Sequence, residues 1–249
     1  LEPPSRQPPF VARTIAAART LATAAVLSLY VLICGPVLLL WALITRRAGV
    51  LYSAGALGIQ MGFALAGIRL RVVGAEHIQP GAAVYASNHA SNIDPPAVFL
   101  ALRPVFPRLR VLYKAELRKL PVLVWAFDLA GFVPLERANK DQSFPAVDRA
   151  AEALRAGNSF VIFPEGTRSR TGELLPFKKG GFVMAIKGQA PVVPLVVSGG
   201  REAMRKGSRL IWPATVSVTF MRPVATTGMT FDDRDALVGR VRGAIESAK

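Results

Sequence analysis

The longest uncharged stretch lies near the N-terminus and constrains the fold more than any other feature of this sequence. No charged residue occurs from Leu21 to Thr45, and a helix of that length, rising about 1.5 Å per residue, can cross the hydrocarbon core of a bilayer. Arg46-Arg47 follows, and a second uncharged stretch then runs from Ala48 to Ile68. We therefore predict an N-terminal hairpin of two apolar membrane helices over residues 13–68, behind a disordered, Pro-rich lead-in at residues 1–12.

The second stretch carries small residues at every fourth position, on one helix face: Ala54, Gly58, Gly62 and Ala66. Such a face lets a neighbouring helix approach closely, so we expect the first helix to pack there. Basic residues lie at both ends of the hairpin and at its tip: Arg13, Arg19, Arg46, Arg47, Arg69 and Arg71. Because basic residues favour the cytoplasmic side, we expect a hairpin that dips into one leaflet of the cell membrane, with the remaining domain at the cytoplasmic face.

The net charge limits the possible partners. Lys and Arg number 31 against 16 Asp and Glu, which gives a formal net charge of +15. This balance suits anionic membrane lipids and phosphate-bearing substrates. Nucleic acid is disfavoured, because the basic residues are scattered through an apolar chain without a recognition motif. We therefore predict membrane lipids as partners.

Beyond residue 68, short apolar runs alternate with longer helical patterns, which is typical of an α/β domain. Strands are predicted near 69–73, 82–87, 109–113, 131–134, 159–163, 191–198 and 214–220. Helices are predicted near 95–102, 116–127, 142–156, 179–188 and 231–247. The expected fold is α/β, with a mixed, largely parallel sheet flanked by helices over residues 69–249.

One of the two histidines follows a predicted buried strand. Open α/β sheets place their ligands at the carboxyl ends of strands, and Asn88-His89 comes directly after the strand that ends at Ser87. The spacing from His89 to Asp94 lets a loop fold back, so that the carboxylate fixes one imidazole nitrogen and leaves the other as a general base. Asp94 also precedes Pro95-Pro96, and a helix N-cap explains it equally well on local grounds.

A second polar segment follows the strand that ends near Phe163. Glu165, Gly166, Thr167 and Arg168 come in direct succession there. The planar fork of arginine matches phosphate oxygens, glycine allows close backbone approach, and a hydroxyl adds a donor. The segment is interpreted as an anion-binding loop or, equally, as an ordinary basic surface loop.

These segments resemble four motifs of the glycerolipid acyltransferase family, whose best-known members are the 1-acylglycerol-3-phosphate O-acyltransferases. The Asn88-His89-x4-Asp94 element is similar to the first motif, and Phe163 to Ser169 matches the third at every residue. Gly131 to Arg137 resembles the second, with departures at Pro134 and Glu136. Val193 to Val196 resembles the fourth.

The resemblance implies a membrane-bound acyltransferase with His89 and Asp94 as its catalytic pair. It also implies a phosphate subsite that includes Lys114, Arg137 and Arg168, shaped by Glu165, Gly166 and Thr167. The implied reaction moves a fatty acyl group from acyl-CoA or acyl carrier protein to the sn-2 hydroxyl of lysophosphatidic acid. No cofactor and no metal are expected.

Three alternatives stay open. The same chemistry could act on glycerol 3-phosphate, a lyso-ornithine lipid or another lysophospholipid. The chain could instead be a non-catalytic protein that binds lipid surfaces through its hairpin and its positive charge. A metal-dependent hydrolase is the weakest alternative, because His89 and Asp94 have no further His or Cys ligand nearby in sequence.

Overall fold

The computed structural model describes residues 10–119, 121–135 and 140–249 of the chain. Its strands are β1 (Ile68–Val73), β2 (Val84–Ser87), β3 (Leu109–Lys114), β4 (Val133–Leu135), β5 (Ser159–Ile162), β6 (Val192–Ser198) and β7 (Ala214–Phe220). Its α-helices are α1 (Phe10–Thr45), α2 (Gly49–Ala66), α3 (Asp94–Ala101), α4 (Pro121–Leu129), α5 (Lys140–Arg155), α6 (Gly180–Gly188), α7 (Gly200–Ala203) and α8 (Arg234–Ser247). Short 3-10 helices cover Ala75–His77, Arg103–Val105, Ala115–Lys119 and Phe231–Asp233. Each of the seven predicted strands is therefore present.

The strands form one sheet in the order β1-β7-β6-β2-β5-β3-β4. Only the β6 and β7 neighbours within it are antiparallel, and the other pairs are parallel. Parallel neighbours need long crossover connections, which the helices between the strands supply. The predicted fold class, a mixed and largely parallel sheet flanked by helices, is confirmed.

Helices cover both faces of the sheet, and alternate residues of the central strands β2, β5 and β6 enter two separate cores. Tyr85 of β2 belongs to a core beneath α2 and α3, whereas its neighbours Val84 and Ala86 belong to a core beneath α5, α6 and α8. Strands β2 and β5 are buried along their whole length. This explains why they are continuous apolar runs rather than alternating polar and apolar sequences.

The N-terminal helices pack through the predicted small-residue face. A methyl group added at Gly58 would lie 3.1 Å from the Tyr30 ring, and one added at Gly62 would lie 3.0 Å from Leu27 Cδ1. The Tyr30 hydroxyl also donates a hydrogen bond to the carbonyl oxygen of Ala54 at 2.9 Å. The two helices therefore approach closely because glycine leaves room for the side chains of α1.

Helix α2 belongs to the core of the α/β domain as well as to the hairpin. The Tyr52 ring lies 6.0 Å from that of Phe99, 4.9 Å from that of Phe106 and 6.3 Å from that of Phe132, between ring centroids. Its hydroxyl donates to the carbonyl oxygen of Leu109 at the start of β3. The hairpin is thus anchored to the sheet by a buried aromatic cluster.

Helix α1 begins at Phe10, so residues 10–12 are helical although the sequence pattern assigned them to the lead-in. Many of its large apolar side chains are exposed, among them Leu21, Leu32 and Ile44. Both α1 and α2 are long and apolar enough to cross a membrane. An exposed apolar surface of this kind needs an apolar environment to cover it.

Candidate active site

Three neighbouring strands end at one edge of the sheet and bring the predicted polar segments together. Strand β2 lies between β5 and β6 and runs parallel to both. His89 follows β2, the segment 165–168 follows β5, and Gly199-Gly200 follows β6. Because the carboxyl ends of parallel strands share an edge, these loops meet there.

His89 and Asp94 form a hydrogen-bonded pair in this edge. His89 Nδ1 lies 3.2 Å from Asp94 Oδ2, and the side chains are 16% and 2% exposed. The imidazole packs against the Phe163 ring, with 4.5 Å between ring centroids. Within the described parts of the chain, His89 Nε2 has no hydrogen-bond partner. Because the carboxylate engages Nδ1, Nε2 is left to accept a proton, which is the arrangement that a general base requires.

Asp94 does not cap helix α3, contrary to the N-cap interpretation. The N-cap residue is Ile93, which makes no side-chain capping hydrogen bond, and Asp94 is the first residue of the helix. Its Oδ2 atom instead accepts the backbone N–H groups of Ala90 and Ser91, each at 2.7 Å. The carboxylate points back into the preceding loop because three donors converge on it there. Asp94 therefore orders the loop that carries His89.

The segment after β5 holds the backbone of His89. Glu165 is 3% exposed, and its Oε1 atom accepts the His89 N–H at 2.7 Å. Its second oxygen accepts the Leu175 N–H at 3.0 Å. The carbonyl oxygen of His89 accepts the Ser169 N–H at 2.8 Å. One oxygen of Glu165 thus joins the two loops, the other holds the segment after β5 together, and both backbone groups of His89 are fixed.

Arg168 is a cation of this edge whose side chain has no partner in the described structure. Its side chain is half-buried, and no hydrogen bond or ion pair to it occurs among the described residues. Thr167 beside it is exposed. Gly166 has φ +69°, a left-handed conformation that glycine adopts without strain. The loop can therefore present a guanidinium and a hydroxyl to an anion.

Cations from later in the chain support this loop. Arg201 and Arg242 donate to carbonyl oxygens within residues 170–175. Lys206 Nζ donates to the carbonyl oxygen of Arg168 at 2.7 Å and lies 3.4 Å from Thr167 Oγ1. These contacts fix the backbone of the loop from outside.

Two residues that sequence reasoning left without a role complete the arrangement. The Asn88 side chain exchanges two hydrogen bonds with the backbone of Val197, at 2.9 and 2.7 Å, and so ties the end of β2 to β6. Gly200 packs directly on Asp94, and a Cβ there would collide with Asp94 Oδ1. A Gly-Gly pair directly after a buried strand was the available signal, since such pairs mark close backbone approach.

The side chains of two predicted site residues, Lys114 and Arg137, are not described by the structure. Lys114 ends β3, and its backbone pairs with Leu135 at the end of β4, but its side chain lies outside the described residues. Arg137 also lies outside them. The Ser91 hydroxyl donates to the carbonyl oxygen of Met204 at 2.7 Å and accepts the Ile93 N–H. The Ser91 hydroxyl therefore stabilises the loop that carries His89.

The comparisons with known proteins decide the family. The family model described as Acyltransferase matches residues 69–198, more than half of the chain. The chain belongs to the acyltransferase family. The match begins in β1 and ends with β6, so this acyltransferase has His89, Asp94 and the 165–168 loop inside the matched region.

Proteins named as 1-acyl-sn-glycerol-3-phosphate acyltransferases are similar to this acyltransferase over most of its length. The 1-acyl-sn-glycerol-3-phosphate acyltransferase of Limnanthes douglasii is 34% identical over 202 residues, which cover 81% of this chain and 70% of that protein. The alpha form of the same-named human enzyme is 36% identical over 181 residues, covering 72% of this chain and 62% of that protein. The crystal structure of the 1-acyl-sn-glycerophosphate acyltransferase from Thermotoga maritima superposes with a TM-score of 0.75 and 25% identity, covering 94% of this chain and 97% of that one.

Proposed function

We propose that this acyltransferase moves a fatty acyl group from acyl-CoA or acyl carrier protein to the sn-2 hydroxyl of lysophosphatidic acid, giving phosphatidic acid. The observation that carries the proposal is the His89–Asp94 pair, in which Nδ1 lies 3.2 Å from Asp94 Oδ2 and Nε2 has no partner among the described residues. The pair lies on a loop tied to the segment that presents Arg168. The names of the relatives support the acceptor. A base beside an anion-binding loop is what an acceptor bearing both a hydroxyl and a phosphate requires.

In the proposed reaction, His89 Nε2 removes the proton of the sn-2 hydroxyl as its oxygen attacks the thioester carbonyl. The new C–O bond forms, the C–S bond breaks, and the thiolate leaves with the proton that the imidazolium returns. Asp94 keeps Nδ1 protonated and stabilises the imidazolium that forms in between. No covalent acyl-enzyme is part of this reaction, and no metal or cofactor takes part in it.

The acceptor phosphate would bind at the 165–168 loop. Arg168 supplies a bidentate donor and Thr167 a hydroxyl, while Gly166 lets the backbone approach. Lys114 and Arg137 are proposed as further phosphate ligands on the resemblance alone. For Glu165 we propose a supporting role, because its buried oxygens accept backbone N–H groups of His89 and Leu175.

The hairpin would give the site access to lipid. The exposed apolar side chains of α1 are proposed to lie in the membrane, and α2 connects them to the core of the α/β domain through Tyr52. We propose that the hairpin enters one leaflet and that the catalytic domain faces the cytoplasm, because basic residues lie at both ends and at the tip of the hairpin.

The proposal is tested with the purified full chain in detergent, a panel of acceptors and two donors. Acyl-CoA and acyl carrier protein thioesters are each combined with lysophosphatidic acid, glycerol 3-phosphate, a lyso-ornithine lipid and lysophosphatidylcholine. We expect kcat/KM to be highest for lysophosphatidic acid, by about tenfold or more over the acceptors without a phosphate monoester, since one lost charged contact costs a factor of that size. Glycerol 3-phosphate keeps the phosphate but should also be a poorer acceptor, because it lacks the apolar chain.

Two results of the panel would contradict the proposal in different ways. A clear preference for another acceptor would keep the chemistry and overturn the substrate. Inactivity with every pair of acceptor and donor would favour the non-catalytic, lipid-surface alternative.

A further inference from the structure

Lys206 places a positive charge at the turn between Thr167 and Arg168. It follows α7, and its side chain is half-buried. Its Nζ atom donates to the carbonyl oxygen of Arg168 at 2.7 Å and lies 3.4 Å from Thr167 Oγ1. In sequence it lies 38 residues from Arg168, beyond the region that the family model matches.

The ammonium group of Lys206 has one donor to spare. A lysine side chain carries three N–H groups, and the two contacts above are the hydrogen bonds that the described residues offer it. Within those residues no Asp or Glu oxygen lies within ion-pairing distance of its Nζ. This half-buried cation is bound only by a carbonyl and a hydroxyl oxygen, so no negative charge of the described residues neutralises it. A bound anion would supply that charge.

The contact with Thr167 also sets the direction of that hydroxyl. When Lys206 donates to Thr167 Oγ1, the lone pair on that side is occupied, and the hydroxyl proton points elsewhere. Because Thr167 is exposed, its proton is then available to an incoming acceptor oxygen. One ammonium thus orders a second donor in the residue next to Arg168.

We propose that Lys206 is a further acceptor-binding residue, whose third N–H contacts the phosphate while the other two hold the turn that presents Thr167 and Arg168. The inference rests on the proposed function for the identity of the acceptor. It adds to the phosphate subsite a cation that lies C-terminal to residues 193–196, the segment that resembles the fourth motif. The ligand that we expect to bind here is a phosphate monoester that carries an apolar chain.

The test measures binding and turnover in the Lys206→Met and Lys206→Arg variants of the full chain. The binding probe is octyl phosphate, which has no hydroxyl to acylate, and its Kd is measured by calorimetry in detergent. Lys206→Met is expected to raise this Kd and the KM for lysophosphatidic acid about tenfold, the cost of one charge-assisted contact. Lys206→Arg keeps the charge and is expected to stay within about threefold of the natural protein. The KM for the acyl donor should not change.

Arg205→Met is the matched control, because it removes the neighbouring charge. Arg205 is exposed and its side chain makes no hydrogen bond to the described residues, so its loss should change the Kd by less than about twofold. Arg168→Ala serves as the reference for loss of a phosphate ligand.

Two results would overturn the role of Lys206. One is an octyl phosphate Kd in Lys206→Met equal to that of the natural protein. The other is a parallel loss in both KM values together with a lowered unfolding temperature, which would make Lys206 merely structural. If the natural protein does not acylate lysophosphatidic acid, the proposed function fails, whereas the octyl phosphate measurement still decides whether Lys206 binds phosphate.

Discussion

His89→Ala is expected to lower kcat about 1,000-fold, because general-base catalysis supplies a factor of this order and alanine cannot accept the proton. The KM for the acceptor should change little, since the imidazole is proposed to act on the reacting hydroxyl rather than on the phosphate. The backbone contacts of His89 to Glu165 and Ser169 do not depend on its side chain. The measurement is the steady-state rate of phosphatidic acid formation by the purified variant in detergent.

The other histidine gives a matched control. His77 lies in the 3-10 helix Ala75–His77, which precedes β2, whereas His89 follows that strand. His77→Ala should therefore keep kcat within about twofold, as is usual for surface substitutions away from special features. If His89→Ala retained a tenth or more of the natural rate, estimated roughly from the same range of base effects, His89 would not be the base.

Asp94→Asn is expected to lower kcat by a factor on the order of 1,000, because a neutral amide neither fixes the Nδ1 proton nor stabilises the imidazolium. The same carboxylate accepts two backbone N–H groups at 2.7 Å. Weakening these charge-assisted bonds should also lower the free energy of unfolding by about 1–3 kcal/mol. The two measurements are the turnover rate and chemical denaturation followed by circular dichroism.

Asp128→Asn is the matched control, because it removes a carboxylate that is not part of the site. Asp128 pairs with Arg118 at 3.2 Å, and both side chains are about half exposed. Exposed pairs contribute about 0–1 kcal/mol, so this variant should be close to the natural protein in both measurements. Full activity in Asp94→Asn would show that Asp94 only orders its loop.

The sequence predicted those features that depend on local periodicity. The uncharged runs predicted two helices, and the small residues at Gly58 and Gly62 predicted the face on which α1 packs. Seven apolar runs predicted the seven strands, most directly for β2 and β5, because a strand buried on both faces is largely apolar along its length. The rule that open α/β sheets bind their ligands at the carboxyl ends of strands pointed to Asn88-His89 as part of a site.

The features that the sequence did not predict depend on contacts between distant segments. Asp94 before two prolines has the local pattern of a helix cap, and only the folded loop shows that its Oδ2 atom also accepts the N–H groups of Ala90 and Ser91. Asn88 pairs with Val197, 109 residues away. Lys206 reaches Arg168 from a segment without a recognisable motif. Such pairings have no periodic signature, because nothing local fixes which residues will meet.

A covalent acyl-enzyme and direct attack by the acceptor hydroxyl are distinguished by the mass of the protein and by the release of thiol. The full chain is mixed with acyl-CoA in the absence of any lysolipid, quenched, and weighed by intact-protein mass spectrometry, while free thiol is measured in parallel. With His89 acting as the base for direct attack, the protein mass stays unchanged and thiol is released only after lysophosphatidic acid is added. A protein mass increased by one acyl group, with a burst of thiol equal to the amount of enzyme, would contradict direct attack.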